Sequence, residues 1–428
     1  MKILRNVTVQ TALAGLLAYF LSASISAESL ASSSAAALLY QLCLIAKSAF
    51  LTGLKMLIAP MIFFSLLLGL LQLGDASKLS TLGKRTISYY LGTTAIAICI
   101  GFFVVLFIHP WEGSGVQLSA EGTAESADYF GAMKPSRLIN SADGSTTAIL
   151  SGLLQRALDN PFHALAEGNI IGIVTFAFLL GLALLFIGER AQPLRAQVEI
   201  LSEATFQILG WLLKFLPIGV FAIVFDLQRK ITGDLVGELL AFGLVVVAAT
   251  LFHGLIVLPI IAKLFAGVSP RALFTGLSKP LLLALTTSSS AATLPVSLQS
   301  AREDFGVRDE VSGFVLPLGA TMNMDGTALF EGIAAVFLAS LYGIELGGVQ
   351  IGLVFFTAMI SSVGAPGMPS GSMSGMQIVL LSIGVPLEAI GILLVIERPL
   401  DTIRTMVNVE GDLIGALVVD RIEASQPE

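Results

Sequence analysis

Long uncharged stretches recur along the chain. Residues 89–108, 169–188 and 239–262 contain no Asp, Glu, Lys or Arg, and a helix needs about 20 mostly apolar residues to cross a bilayer. Such stretches are too long and too numerous for the buried helices of a soluble core. They belong to a set of predicted membrane spans, which lie near residues 7–27, 42–73, 87–109, 165–188, 200–226 and 235–263.

Two later uncharged segments have residues at their centres that interrupt helices. Residues 281–301 contain the run Thr-Thr-Ser-Ser-Ser, and residues 346–387 contain Gly-Ala-Pro-Gly-Met-Pro-Ser-Gly-Ser. Gly and Pro break helices, and non-helical backbone at membrane depth is tolerated only inside protein or beside a water-filled cavity. We therefore expect two re-entrant hairpins with tips near the midplane. The second segment is also long enough for two ordinary spans joined by a turn.

Each serine-bearing hairpin is followed by a helix in which polar residues interrupt an apolar sequence. Residues 321–327 read Thr-Met-Asn-Met-Asp-Gly-Thr, and residues 405–412 read Thr-Met-Val-Asn-Val-Glu-Gly-Asp. Both helices are expected to be broken there. Paired interrupted segments in two halves of a membrane protein indicate the binding site of a transporter.

Composition agrees with a membrane protein and argues against other classes. Hydrophobic residues make up 55% of the 428 residues and charged residues only 12%, whereas soluble domains have about 25% charged residues. The two cysteines, Cys43 and Cys99, show no disulfide or metal-ligand spacing. No basic patch or nucleic-acid motif is present, so membrane lipid and not nucleic acid is the expected surrounding partner.

Basic residues predict the orientation of the spans, because cytoplasmic loops are enriched in Lys and Arg. Lys2 and Arg5 place the N-terminus in the cytoplasm, and the C-terminus is expected there too once the family resemblance described below supplies the full helix count. Residues 110–147, which are polar and rich in Ser, Ala and Gly, are then an extracellular loop. Residues 22–27 resemble a signal-peptide cleavage site, but an uncleaved first span is the expectation.

Several charges lie inside these apolar helices. Asp325 and Glu331 fall in a helix expected near residues 311–341, and the last helix has a polar stripe. That stripe contains Asp401, Arg404, Thr405, Asn408 and Asp412, whose spacing keeps them near one helical face. One charge at the bilayer centre costs about 2.5–3.5 kcal/mol on insertion scales. Retaining several of them indicates a polar site inside the protein.

The residue types fit a zwitterionic, acidic ligand and a small cation. The planar guanidinium of Arg404 can hold a carboxylate with two bonds, and Asp401, one turn earlier, can accept an ammonium group. An alternative is that Asp401 and Arg404 only neutralise each other. Small hard cations favour oxygen ligands, and the candidates are Asp325, Asp412, Asn323 and Asn408.

These motifs resemble those of the dicarboxylate/amino acid:cation symporters, a family that includes archaeal aspartate transporters and animal glutamate transporters. The resemblance rests first on the run Asn-Met-Asp-Gly-Thr at 323–327, the serine-rich hairpin and Arg-Thr-Met-Val-Asn-Val-Glu-Gly-Asp at 404–412. Residues 54–63 and 160–166 resemble the family's second helix and the entry to its fourth. The resemblance covers nearly the whole chain except residues 110–147.

The resemblance implies an all-α integral membrane protein with eight transmembrane helices, two re-entrant helical hairpins and inverted repeats, assembled as a homotrimer. In this family a transport domain moves across the membrane like an elevator against a fixed scaffold. The corresponding boundaries are scaffold 1–86 and 148–230, transport domain 87–109 and 231–420, extracellular loop 110–147, and cytoplasmic tail 421–428.

The resemblance also assigns site residues position by position. The substrate residues are Ser289, Ser290, Thr327, Met368, Ser372, Asp401, Arg404, Thr405 and Asn408. One sodium site matches Gly319, Asn323, Asn408 and Asp412. A second, largely of main-chain oxygens, matches Thr321, Ser362, Val363 and Ala365. A third matches Tyr90, Thr93, Thr94, Asn323 and Asp325. Ala365 and Ser372 depart from the family's common threonine and glycine, which affects substrate preference more than mechanism.

The resulting expectation is a sodium-coupled symporter for aspartate or glutamate in the cell (inner) membrane, and not an enzyme. Related dicarboxylate carriers have a neutral residue at the position of Asp401, proton-coupled glutamate carriers tend to have Asn at Asp412, and neutral amino-acid exchangers lack Arg404. An intramembrane serine hydrolase is disfavoured because nothing marks His253 as a base for the serines of 371–375. A ligand-gated channel is a further alternative.

Glu331 is a candidate proton carrier. In animal glutamate transporters a glutamate in a very similar segment is thought to carry the co-transported proton. Burial disfavours the charged form of a carboxyl group, so Glu331 could bind and release a proton during transport. The alternative is a structural hydrogen bond inside the transport domain.

Overall fold

The structure is a computed structural model that describes residues 7–24, 34–71, 79–108, 117–118, 154–229, 231–232, 235–364, 367, 371–386 and 389–425. Of the predicted site residues, Ala365 and Met368 lie outside the described residues. The predicted loop 110–147 also lies outside them, apart from residues 117–118.

The described chain is almost entirely helical. In chain order the helices are α1 Val7–Ser24, α2 Ser34–Leu71, α3 Lys84–Ile108, α4 Pro161–Glu167, α5 Ile170–Ile187, α6 Gln192–Leu213, α7 Leu216–Leu227, α8 Leu235–Phe252, α9 Leu258–Ile261, α10 Pro270–Thr287, α11 Ser290–Glu303, α12 Asp309–Met322, α13 Asp325–Leu341, α14 Gly348–Gly364, α15 Ser372–Ile383, α16 Ile390–Leu393 and α17 Glu397–Ala424.

Short segments of other geometry join some of these helices. A 3₁₀ turn lies at Gly188–Ala191, and π-helical turns are found at Leu79–Gly83, His253–Val257 and Ala262–Ala266. Two two-residue strands, β1 Gln117–Leu118 and β2 Ile231–Thr232, pair antiparallel. This small pairing is the one departure from an all-α fold within the described residues.

Among the described residues, five helical stretches are long and apolar enough to cross a membrane. They are Ala35–Leu71, Thr81–Ile108, Ile171–Leu213, Val236–Ala266 and Asp309–Leu341. The span predicted at 165–188 begins later, at α5, because Gly168 adopts a left-handed conformation (φ 68°) that ends α4. The span predicted at 200–226 is divided into α6 and α7 by a turn at Lys214 and Phe215.

The first predicted hairpin forms at its serine run. Helix α10 ends at Ser288, whose φ of 51° is left-handed, and Ser289 then caps α11 by accepting a hydrogen bond from the amide of Ala292. Helices α10 and α11 pack against each other, and so do α14 and α15 of the second hairpin. Most of the connection between α14 and α15 lies outside the described residues.

The two polar-interrupted helices differ from each other. The helix expected near residues 311–341 is broken at Asn323 and Met324, whose backbones are not helical. Helix α17, in contrast, is continuous from Glu397 to Ala424, so the prediction of a second broken helix was wrong. Asn408 contacts a neighbouring helix through its side chain while its own backbone stays helical.

The helices pack in two groups. Helix α2 packs against α5, α6 and α7, and α1 packs against α7. Helices α8 to α15 and α17 pack among themselves, and α3 joins them through α13 and α17. The groups meet where α2 contacts α14 and α15, and where α7 contacts α16.

A buried ion pair ties the first group together. The Lys47 ammonium lies 2.6 Å from Asp226 Oδ2, and the Tyr40 hydroxyl donates to Asp226 Oδ1 at 2.8 Å. Asp226 is 1% exposed. A carboxylate this deep requires such partners, so the pair holds α2 against the end of α7.

Candidate substrate and cation site

The tips of the two hairpins meet beside the break between α12 and α13. Ser289 Oγ donates to the Gly367 carbonyl at 2.7 Å, and the Ala291 amide donates to the same carbonyl at 3.0 Å. A Cβ at Gly367 would overlap the carbonyl of Ala320, at the end of α12. Gly367, the described residue of the second tip, therefore lies against both the first hairpin and the end of α12.

Arg404 lies at the centre of these residues and is fully buried. Its Nη2 donates to Glu397 Oε1 at 3.0 Å, to Asp401 Oδ1 at 3.2 Å and to Ser372 Oγ at 3.1 Å. The guanidinium carbon lies 3.9 Å from the ring centroid of Phe330. Its Nε and Nη1 have no hydrogen-bond partner among the described residues. Buried donors are rarely left unpaired in native proteins, so the guanidinium retains capacity for an acceptor.

Glu397 was missed as a site residue by the sequence analysis. It is 1% exposed and shares Arg404 Nη2 with Asp401. It lies seven positions, about two helical turns, before Arg404, so helical spacing could have identified it. Ser372 Oγ also donates to Glu397 at 3.3 Å. The Asp401–Arg404 contact required by the self-neutralising alternative is thus present, but two carboxylates share one guanidinium.

Asn408 connects α17 to the start of α13. Its Oδ1 accepts from the Gly326 amide at 2.8 Å, and its Nδ2 lies 3.4 Å from Thr327 Oγ1 and 3.2 Å from Met324 Sδ. The amide of Gly326 belongs to the first turn of α13, where backbone N–H groups lack helical partners. The side chain of Asn408 therefore fixes the position at which α13 resumes after the break.

The remaining predicted substrate residues are less directly connected. Thr405 Oγ1 donates within its own helix to the Asp401 carbonyl at 2.8 Å. Ser290 is 3% exposed and begins α11 next to the capping residue Ser289. Both side chains are buried, and their contact with substrate stays a prediction.

A second polar cluster surrounds Asp325. Thr94 Oγ1 donates to Asp325 Oδ1 at 2.6 Å, and Thr93 Oγ1 lies 3.3 Å from the same oxygen and 3.4 Å from Asn323 Oδ1. The His253 Nε2 lies 3.2 Å from Asp325 Oδ2. Nothing in the sequence marks His253 as part of this cluster, because Asp325 is 72 residues away along the chain.

Asp412 extends this cluster by one α17 turn beyond Asn408. Its Oδ1 accepts from Asn323 Nδ2 at 3.0 Å. A Cβ on Gly319 would lie 2.5 Å from both Asp412 Oδ1 and the Tyr90 hydroxyl, so only glycine fits at this point of α12. Tyr90 itself donates to the Val315 carbonyl at 2.8 Å. Two carboxylates, an amide and hydroxyl oxygens are thus buried together.

The oxygen-rich character of this cluster fits a small hard cation. Neither Asp325 nor Asp412 forms an ion pair with Lys or Arg among the described residues. In the part of the chain that the structure describes, no group of three or more His, Cys, Asp and Glu side chains could hold a metal ion. The arrangement therefore suits a cation bound by mixed hydroxyl, amide and carboxylate oxygens.

The residues predicted for a second cation lie at helix ends. Thr321 Oγ1 donates to the Leu318 carbonyl at 3.0 Å, and Ser362 Oγ donates to the Met359 carbonyl at 2.8 Å, so each hydroxyl bonds within its own helix. Thr321 is in the last turn of α12, and Ser362 and Val363 are in the last turn of α14. Carbonyls at helix C-termini lack helical partners and carry the negative end of the dipole.

Glu331 lies on another face of α13 and is fully buried. Ser361 Oγ, on α14, donates to Glu331 Oε1 at 2.7 Å, while Oε2 has no partner among the described residues. A Cβ on Gly375 of α15 would overlap both Ser361 Oγ and Glu331 Oε1. The carboxyl group thus lies against both helices of the second hairpin.

The fold and the site together define a polytopic membrane protein with a charged centre that two helical hairpins enclose. A sequence model of the sodium:dicarboxylate symporter family matches residues 6–422, and the chain belongs to this family. It is a transporter and not an enzyme, which removes the serine hydrolase alternative.

Named relatives carry different amino acids. An excitatory amino acid transporter of Caenorhabditis elegans is 31% identical over 395 residues, covering 86% of this chain and 78% of that protein. The human neutral amino acid transporter B(0) is 34% identical over 397 residues, covering 88% and 73%. Mouse excitatory amino acid transporter 4 is 33% identical over 430 residues, covering 88% and 76%. The chain is similar to both kinds of transporter.

The contact between α13 and α17 depends on Gly326. A Cβ at this position would lie 2.7 Å from the Arg404 carbonyl and 2.9 Å from its Cα, and neither backbone atom can rotate away. We predict that Gly326→Ala lowers the thermal unfolding temperature in detergent and destabilises the protein by about 1–3 kcal/mol, the usual cost of overpacking. Gly352→Ala is the matched control, because its Cβ would meet nothing within 4 Å. Equal unfolding temperatures of the two variants would contradict this close approach.

Proposed function

We propose that this transporter is a sodium-coupled symporter of acidic amino acids, aspartate or glutamate. The observation that carries this proposal is the buried guanidinium of Arg404, whose Nε and Nη1 have no acceptor among the described residues. Charge-assisted bonds from Arg to a carboxylate are short and strong. A side-chain carboxylate of the substrate is the group that best uses these donors.

The carboxylates around Arg404 support an amino-acid substrate. Glu397 and Asp401 both contact Nη2, so one positive charge faces two acidic groups. Glu397 can remain as the standing partner of Arg404 while Asp401 accepts the substrate's ammonium group. A dicarboxylate has no ammonium group and would not make this additional contact with Asp401.

Single residues of the site distinguish between the alternative substrates that members of this family carry. Because the chain is similar to both excitatory and neutral amino acid transporters, the substrate is inferred from the site residues. Arg404 favours an acidic substrate over a neutral one, Asp401 favours an amino acid over a dicarboxylate, and Asp412 favours sodium over protons as the driving ion.

Sodium is proposed to bind at the clusters around Asp325 and Asp412. Asn323 contacts both clusters through its side chain, since its Oδ1 faces Thr93 and its Nδ2 donates to Asp412. Asn323 also forms the break between α12 and α13, whose resumption Asn408 fixes. Cation binding would thereby order the residues that contact the substrate.

Transport by an elevator movement is the proposed mechanism. We assign residues 1–86 and 148–230 to the scaffold and residues 87–109 and 231–420 to the transport domain. The packing of the helices in two groups supports this division. We propose a homotrimer held by the scaffold, in a cell (inner) membrane, with both termini in the cytoplasm.

A second proposal concerns proton co-transport by Glu331. Its Oε1 accepts from Ser361 and its Oε2 has no partner among the described residues. The hydrogen bond from Ser361 is the one expected if Glu331 has only a structural role. The second oxygen, Oε2, leaves a position at which a proton could bind. Arg404 is the nearby charged group that acts on this carboxyl.

The decisive experiment measures uptake of labelled aspartate, glutamate, succinate and serine into vesicles containing the purified protein, with and without a sodium gradient. We expect sodium-dependent uptake of aspartate or glutamate above that of succinate and serine. Arg404→Cys should reduce affinity for the acidic substrate roughly a hundredfold, because losing one partner of a buried pair costs about 3 kcal/mol. Serine uptake should persist or increase.

Arg271→Cys is the control for this variant, since Arg271 is exposed on α10. Unchanged aspartate affinity in Arg404→Cys would overturn the assignment of Arg404. A wild-type preference for succinate would overturn the amino-acid substrate itself.

Asp412→Asn tests the sodium assignment. Removing one anionic oxygen should raise the sodium concentration needed for half-maximal aspartate binding, and substrate and sodium should lose mutual enhancement by equal factors. Binding at a series of sodium concentrations measures both effects. Asp420→Asn, on the same helix, should leave them unchanged. Substrate affinity in the wild type that is independent of sodium would rule out this coupling.

Glu331→Gln tests the proton proposal, because glutamine mimics the protonated carboxyl in shape and charge. The variant should bind and exchange substrate, while its net uptake should lose the pH dependence of the wild type. Uptake and exchange measured between pH 5 and 9 separate these activities. Glu345→Gln, an exposed position beyond α13, is the control. A wild-type pH profile in Glu331→Gln would remove Glu331 from the proton path.

A further inference from the structure

A cavity of about 440 Å³ lies on the outer side of the second helix group. It is bounded by α3, by the end of α9 with the following π-helical turn, and by the C-terminal part of α17. It is separate from the hairpin tips and from the residues around Arg404. No residue assigned to substrate lines it.

The wall of this cavity is apolar over most of its extent. Ile96 of α3 and Ile261 and Phe265 of the α9 region face Val418 and Ile422 of α17. Ile96 is 42% exposed and Phe265 is 59% exposed, so the cavity opens outward. Such a wall is unsuitable as a route for a hydrated cation, but it suits a hydrocarbon chain.

One end of the cavity is basic. Lys84 and Arg85, which begin α3, both line it. Arg85 is paired with Glu423 at the end of α17, whereas Lys84 is exposed and has no partner among the described residues. This end therefore presents an available positive charge beside the apolar wall.

The two walls belong to candidate membrane spans, namely Thr81–Ile108 and Val236–Ala266. Helical rise places Ile96 about 18 Å from Lys84 along α3. One leaflet contributes about half of the roughly 30 Å hydrocarbon core. The basic end thus lies at headgroup level when the apolar wall lies among acyl chains.

We propose that this cavity is a binding site for an anionic phospholipid, whose phosphate contacts Lys84 and Arg85 while an acyl chain lies along Ile96, Ile261 and Phe265. Basic pockets between membrane helices bind anionic headgroups in this manner. The floor of the cavity includes Thr93, whose hydroxyl contacts Asp325. The lipid would therefore lie one side chain from the proposed cation cluster.

The test is a lipid titration of the full-length protein in detergent, followed by native mass spectrometry. Phosphatidylglycerol and phosphatidylcholine with identical acyl chains are compared, and inorganic phosphate is added as a competitor. We expect phosphatidylglycerol to bind preferentially, and Lys84→Gln/Arg85→Gln to weaken it about tenfold or more. Arg271→Gln/Lys279→Gln is the matched control, because it removes two basic residues of α10 away from the cavity.

The double variant also breaks the Arg85–Glu423 ion pair, so two further variants test lipid binding with that pair intact. Lys84→Gln alone leaves that pair intact and should still weaken binding severalfold. Gly92→Leu should block the cavity, since a Cβ at Gly92 meets nothing within 4 Å and the larger side chain would extend into the space. Equal binding of both lipids, wild-type binding by all three variants, or full competition by millimolar phosphate would overturn the proposal.

Discussion

The burial of one guanidinium group is the constraint on which the centre of this protein depends. Arg404 is fully buried in a chain whose surroundings are largely apolar, and an isolated charge there would be strongly unfavourable. Glu397, Asp401 and Ser372 all contact its Nη2, and the Phe330 ring lies against its plane. These contacts come from α17, from the second hairpin and from α13, so compensation of one charge brings three elements together.

The need to supply buried charges with partners also explains why the backbones of α12 and α13 lie so close to α17. Gly326 places the start of α13 against the Arg404 backbone, and Gly319 places α12 against the Asp412 carboxylate. A side chain at either position would separate a helix from the polar groups that it must contact. The helix break at Asn323 and the glycines therefore serve one purpose, which is to supply buried charges with partners.

Much of this arrangement was predictable because the relevant signals are local. The serine run of the first hairpin ends its helix at Ser288, and Arg404, Asn408 and Asp412, which lie at helical spacing along α17, contact neighbouring elements. What could not be predicted needed tertiary information. The contact of His253 with Asp325 joins residues in different helices, and the bond from the Gly326 amide to Asn408 joins α13 to α17. Glu397 had a local signal in its i, i+7 spacing from Arg404, but its role became evident only from the shared contact.

Helix α17 also connects the residues around Arg404 to the cluster around Asp325 and Asp412. Glu397 and Arg404 of this helix contact Ser372 of the second hairpin, Asn408 contacts the first turn of α13, and Asp412 contacts Asn323 in the break before α13. Because α17 is continuous, the distances between these groups along it are fixed by helical geometry. The elements that these residues contact are the second hairpin and the broken α12–α13 segment, whose positions can respond to a ligand. In the proposed mechanism, a cation bound beside Asn323 and Asp412 acts on the same break that Asn408 secures, one turn of α17 from Arg404. On this arrangement the coupling needs no long-range path, only a rigid helix facing a broken one.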